Sequence, residues 1–258
     1  MEDNLNKEIL SRSLRLLGED AMKRLSQVKV IIFGIGGVGS WCAEALVRTG
    51  IRHLTIVDGD VVAPSNINRQ LMANVETIGR SKVETLRQQL LLVAPDAEIT
   101  AIHDIFTHEK KELYHLEQYD YIIDAIDSLK DKVALIDAAT DSQGKFFSSM
   151  GAALKMDPTR IKVAEFRQAL GCPLARALRQ RFKKRGRFPS RKFKVVYSDE
   201  LLPNLGPEPD GIKNEADSRK AQINGSLMHI TAIFGLTLAG LVIEDIVKRD
   251  KIVIVNNC

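Results

Sequence analysis

Three side chains far apart in the chain have types suited to one reaction. Arg69, in VAPSNINRQ, carries an always-charged planar fork that matches phosphate oxygens. Lys82, in GRSK, opens an expected helix, with Gly79 three residues before it allowing close approach. Asp127 closes the apolar run of YIIDAID, where a carboxylate can hold Mg²⁺, an ion that takes few protein ligands. An arginine and a lysine converging on one pocket suit a triphosphate whose charge must be neutralised as it is cleaved. The alternatives are solvated surface bases for Arg69 and Lys82, and for Asp127 a cap on the helix beginning at Ser128.

These groups need a turn that admits phosphate. Gly34, Gly36 and Gly39 satisfy G-x-G-x-x-G between the apolar run VKVIIF and the helix-like WCAEALVRTG. Glycine allows the tight turn and lets phosphate approach the backbone, while the helix start supplies free N–H groups and partial positive charge. Asp58 ends the next apolar run, at about the spacing of a ribose-binding carboxylate. Alone, this would suit a dehydrogenase. SNINRQ and GRSK directly afterwards favour ATP that is consumed.

The elements that must position these residues alternate. Strands are expected in VKVIIFG, HLTIVD, AEITAIHDI, YDYIIDAID and KFFSSMGAAL, and helices over 12–27, 38–49, 79–94 (with Pro95 just past its end) and 128–144. This predicts an α/β fold: a Rossmann-like, doubly wound, mainly parallel sheet with a basic crossover segment and a C-terminal helix. IKVAEFRQ reads as a further strand and KIVIVNN as a last one. SLMHITAIFGLTLAGLVIED reads as a buried helix; its apolar core falls just short of a bilayer span and contains His229. The expected organisation is one domain over 1–258: an N-terminal helical arm (1–27), a nucleotide-binding core (28–155), a basic crossover insertion (171–220), and a C-terminal helix and strand (221–258).

An apolar content of 45% supports a sizeable core. Cys42, Cys172 and Cys258 have no CxxC spacing, which argues against a disulfide framework and a four-cysteine zinc site. The N-terminus lacks a secretory pattern, so a cytoplasmic protein with no membrane association is expected. Charge is unevenly placed. Arg176, Arg179, Arg181, Lys183, Lys184, Arg185, Arg187, Arg191, Lys192 and Lys194 follow one another with no acid between them. Phe182, Phe188 and Phe193 are interleaved. The pattern suits a nucleic-acid backbone with aromatic faces for stacking; the alternative is a solvated helix and loop.

GIGGVGS, VDGDVVAPSNINRQ, GRSK and DAIDS, in this order and spacing, resemble the adenylating domain of the E1-like superfamily over roughly residues 10–155. The resemblance implies ATP and Mg²⁺ as cofactors. It places Gly37 and Asp58 on the adenosine part, Asn66, Asn68, Arg69 and Lys82 on the phosphates, and Asp127 beside Mg²⁺. Gly34, Gly36, Gly39, Asp60 and Ser128 complete the implied nucleotide-binding set. It also implies a homodimer in which Arg12 or Arg15 reaches the partner subunit's ATP.

Nearly the whole chain is similar to one branch, the tRNA threonylcarbamoyladenosine dehydratases, through GIGGVGSWCAEALVRTGI, YIIDAIDS, DPTRI, CPLARALR, KVVYSDE and GSLMHITAIFGLTLAG. That implies an ATP-dependent enzyme adenylating the carboxylate of N6-threonylcarbamoyladenosine-37 in tRNA and driving its cyclisation, with AMP and pyrophosphate released. Sulfur-relay proteins are further partners to consider. The alternative enzyme is an adenylyltransferase for the C-terminus of a ubiquitin-like sulfur carrier, but such relatives commonly bind zinc through two CxxC pairs. Cys172, just before an expected helix, invites an acyl-transfer role, which ring closure does not need. A nucleotide-sensing module is a non-enzymatic reading, and the intact Arg69, Lys82 and Asp127 argue against it.

Overall fold

The computed structural model describes residues 8–206 and 224–255. Two short helices, α1 (Ser11–Leu17) and α2 (Glu19–Gln27), lead into the sheet. A single helix was expected here. Gly18 divides it, with a φ of 80° that glycine adopts without penalty.

Seven strands follow: β1 (Lys29–Phe33), β2 (His53–Val57), β3 (Glu98–Ile102), β4 (Tyr121–Asp124), β5 (Lys145–Ser149), β6 (Ile161–Glu165) and β7 (Lys194–Ser198). They lie in the order β3-β2-β1-β4-β5-β7-β6, and only β6 runs antiparallel to its neighbour. The interior strand β1 shows why. In KVIIF, Val30 and Ile32 enter one core while Ile31 and Phe33 enter the other, so both faces must be covered. Helices α3 (Gly39–Thr49), α4 (Lys82–Val93) and α7 (Met228–Val255) cover the first face. Helices α5 (Leu129–Asp141) and α6 (Pro173–Arg185) cover the second. The strand order reverses between β1 and β4, and open α/β sheets hold ligands at the carboxyl ends of strands at such a switch point.

Two stretches differ from expectation. Lys251–Val255, expected as a strand, continues α7, because no glycine or proline interrupts the chain from Leu241 onward; the rest of KIVIVNN lies outside the described residues. Within the expected basic crossover, KVVYS forms β7, an interior strand between β5 and β6. By length and composition α7 is apolar enough to cross a membrane, with a mean hydropathy of 1.9 over Met228–Lys248. Here it packs on α3, and so closely that a Cβ on Gly235 would lie 2.3 Å from the Val38 carbonyl oxygen.

Candidate active site

The glycine turn is set by contacts that leave no room for side chains. Gly34 has φ 87°, and a Cβ there would sit 2.7 Å from the Ala125 carbonyl oxygen. A Cβ on Gly39 would fall 1.9 Å from the Gly34 carbonyl oxygen. Gly37 faces outward, towards Thr231 at the start of α7 and the Arg69 stem, whose atoms lie 3.0 and 3.2 Å from its Cβ position. The Ser40 hydroxyl donates to the Gly36 carbonyl at 2.7 Å, closing the turn.

Asp58 follows the carboxyl end of β2 and is tied to this turn. Its Oδ2 accepts the Ile35 N–H at 2.6 Å, and its Oδ1 accepts the Asp60 N–H at 2.9 Å. Lys82 is buried rather than solvated. Its Nζ donates to Asp60 Oδ2 at 2.7 Å and lies 3.9 Å from Asp58 Oδ1. Arg69 is half-buried, and its Nη1 donates to the Ser65 carbonyl at 2.8 Å and to Asn68 Oδ1 at 2.9 Å. Trp41 Nε1 holds the Arg69 carbonyl at 3.1 Å. Asn68 Nδ2 reaches the Ser226 carbonyl at 3.0 Å, linking this loop to the segment before α7. Asn66 Oδ1 accepts the Ala63 N–H at 3.0 Å, which shapes the loop and leaves the amide nitrogen to bind a ligand.

Asp127 is exposed beyond the end of β4 and has no side-chain hydrogen bond or ion pair among the described residues. The helix-cap alternative is not realised: Ser128 occupies the cap position of α5, and no side chain caps the helix. No group of three or more potential metal ligands occurs among the described residues. A single open carboxylate beside the glycine turn fits Mg²⁺, an ion that takes few protein ligands and completes its shell with water and substrate oxygens.

Asp124 reads from the sequence as structural, but its partner Lys132 does not stand out there. Asp124 and Lys132 form an ion pair at 2.8 Å with both side chains 0% exposed. The signal was available, since Lys132 lies on the same stripe of α5 as the buried Ile136 and Ala139, four and seven residues later.

The glycine turn, Asp58, Asp60, Arg69, Lys82 and Asp127 thus meet along the carboxyl ends of β1, β2 and β4. Arg12 and Arg15 do not join them in their own subunit. They are exposed on α1, which begins beside Gly50, at the far end of α3 from the turn. Cys172 is 1% exposed, so its thiol is closed to an acyl group in this conformation. Burial likewise pushes the Cys42 thiol up.

Residues 10–257 match the model of the ThiF family. The chain belongs to that family. It is 35% identical over 241 residues to the tRNA threonylcarbamoyladenosine dehydratase of Haemophilus influenzae, covering 92% of each chain. Against the Bacillus subtilis protein of the same name the identity is 32%, over 94% of this chain and 96% of that one. Among solved structures it is similar to the tRNA N6-threonylcarbamoyladenosine dehydratase TcdA of E. coli in complex with ATP, with a TM-score of 0.82 and 30% identity over 95% of this chain and 96% of that one.

In this ThiF-family chain the basic run divides. Arg179 donates to the Phe166 and Ala169 carbonyls at 3.2 and 2.8 Å, and Arg191 to the Ala139 carbonyl at 2.9 Å and to that of Gly144. Arg185 pairs with Asp137 at 2.9 Å and Arg187 with Asp141 at 2.8 Å, so acids absent from the run are supplied by α5. Arg176, Arg181, Lys183, Lys184 and Lys192 are exposed with no side-chain partner among the described residues, and Lys194 is also exposed. The expected stacking faces are corrected: Phe182 and Phe193 are buried against Phe166, and only Phe188 is exposed, with the Arg167 guanidinium 5.5 Å above its ring.

Proposed function

We propose that this ThiF-family chain is an ATP-dependent tRNA threonylcarbamoyladenosine dehydratase. The observation that carries the reading is similarity to proteins of that name along almost the whole chain, 92% of it for the Haemophilus influenzae relative. The site suits the chemistry. A carboxylate oxygen of the threonylcarbamoyl group on adenosine-37 attacks the α-phosphorus of ATP, and the bond to pyrophosphate breaks. The carbamoyl group then attacks the activated acyl carbon, the bond to AMP breaks, and the nucleoside has lost one water. Ring closure within one nucleoside has the advantage of proximity.

In this reading Gly37 and Asp58 meet the adenosine part, the Gly34–Gly39 turn lets the phosphates approach the backbone, and Asn66, Asn68, Arg69 and Lys82 meet the phosphates. Lys82 exchanges Asp60 for a phosphate oxygen, which costs little because the Asp60 side chain is 66% exposed and hydrates when released. Mg²⁺, when bound, neutralises phosphate charge, and Asp127 is the residue that would hold it. The tRNA lies along the exposed cations of α6. A homodimer belongs to the same reading, as the family resemblance implies. The cytoplasm is where such a substrate is met.

The test is incubation with ATP, Mg²⁺ and tRNA carrying the modification, followed by nucleoside mass analysis. Loss of one water that requires ATP is the expected result. ATP-dependent adenylation of a carrier protein, with the tRNA unchanged, would replace this reading.

A further inference from the structure

Ile126, next to Asp127, is held at both of its backbone polar groups by one ion pair. Its N–H donates to Asp124 Oδ1 at 3.0 Å, and its carbonyl accepts from Lys132 Nζ at 2.8 Å. Asp124 Oδ2 faces the same Nζ at 2.8 Å and accepts the Ser148 hydroxyl at 2.6 Å. The Lys132 N–H closes the arrangement from behind by donating to the Ser128 carbonyl at 2.9 Å.

A sealed ion pair is a poor source of stability. The cost of removing two ions from water offsets their attraction, and apolar side chains of similar volume often serve as well. What this pair does, and apolar residues cannot, is fix both polar groups of one residue. On the other side, the Ala125 carbonyl oxygen fills the place where a Cβ of Gly34 would be, 2.7 Å from it. The loop between β4 and α5 is therefore gripped between the phosphate turn and the ion pair, and the next residue is Asp127.

We propose that Lys132 is a positioning residue for Asp127: acting through Ile126, it sets the direction and height of the Asp127 carboxylate beside the glycine turn. The proposal rests on Asp127 acting at the reacting phosphate. It assigns Lys132 no contact with substrate.

The test is a double-mutant cycle of Lys132→Met and Asp127→Ala on the full chain, read by kcat and KM for ATP with the modified tRNA. Lys132→Met is expected to lower kcat by about 10–10²-fold, as misplacement of a reacting group by about 1 Å does. KM for ATP should stay within about twofold. In the Asp127→Ala background the same replacement should cost less than about twofold, because the group it acts through is gone. Equal losses in both backgrounds, or an unchanged kcat, would overturn the proposal. If Lys132→Met fails to fold, Asp124→Asn/Lys132→Met removes both charges and takes its place in the cycle. Amide hydrogen exchange at Ile126 gives a readout independent of the substrate. It should accelerate in the Lys132 variant, and unchanged exchange would overturn the clamp even if the parent enzyme proved to act on another carboxylate.

Discussion

Lys82 and Lys132 each meet an aspartate beside the glycine turn, at nearly the same nitrogen–oxygen distance, 2.7 and 2.8 Å. Distance does not separate them; solvent does. The Lys132–Asp124 pair is sealed at both ends, with 0% exposure on each side. The Lys82 side chain is 7% exposed, but its partner Asp60 is 66% exposed. If Lys82 moves to a phosphate, Asp60 is left in water at small cost. If Lys132 moved, Asp124 would be a bare charge in the interior. An ion pair with an open acid can exchange partners, whereas a closed one can only hold geometry.

The largest test of this contrast is stability. Lys132→Met should destabilise the fold by about 3–5 kcal/mol by stranding Asp124, whereas Lys82→Met should cost less, because Asp60 is left in water and Asp58 keeps its two backbone N–H donors. Denaturant unfolding of the two variants side by side would show it, and equal losses would erase the distinction. The second test inverts the ranking. Lys82→Met should keep its fold yet lower turnover by about 10²–10³, as should Arg69→Ala, through lost charge stabilisation on the α-phosphate. Unchanged ATP–pyrophosphate exchange in either variant would remove that residue from the site.

The same logic sorts the basic run. Lys183→Glu with Lys184→Glu should weaken tRNA binding by about tenfold or more and flatten its salt dependence by about one unit per lost phosphate contact. Arg191→Ala should leave the salt slope alone, because its guanidinium is committed to carbonyls. Filter binding at several salt concentrations separates the two outcomes. The smallest effect concerns an open acid with two cations. Hydrogen bonds from Lys162, then Arg160, hold the Asp199 carboxyl down from 3.8 to about 2. A depressed folded value means this contribution is present above pH 3.8 and is lost as pH falls towards 2. Protection factors of the β6 and β7 amides, which correct for intrinsic exchange, should fall modestly across that window, and Asp199→Asn should reduce that fall.

What was legible in the sequence was local. The glycines, the β-branched run of β1 and the acid ending β2 carry their own conformational reasons, so turn, strands and Asp58 stand where expected. What was illegible depended on tertiary partners. KVVYS was hidden by the cations before it, although its burial comes from β5 and β6 on either side. Phe182 and Phe193 looked like stacking faces because nothing nearby in sequence announces Phe166. Arg185 and Arg187 looked uncompensated because Asp137 and Asp141 come from α5. Lys132 escaped notice because a lysine on an apolar stripe reads as noise until its aspartate is found.

The close crossing of Gly235 over Val38 has a consequence in time. The glycine turn is made early in synthesis, yet the helix that backs it and places Thr231 beside Gly37 emerges only after all seven strands. Domains fold as units, so until α7 emerges the growing chain has no backing wall for the glycine turn. Nucleotide competence should therefore arrive only when α7 has been made and has docked. Until α7 docks, a 21-residue stretch apolar enough to pass for a membrane span has no partner. Packing onto α3 then places Thr231 beside Gly37 and buries about half of that apolar stretch in the same step.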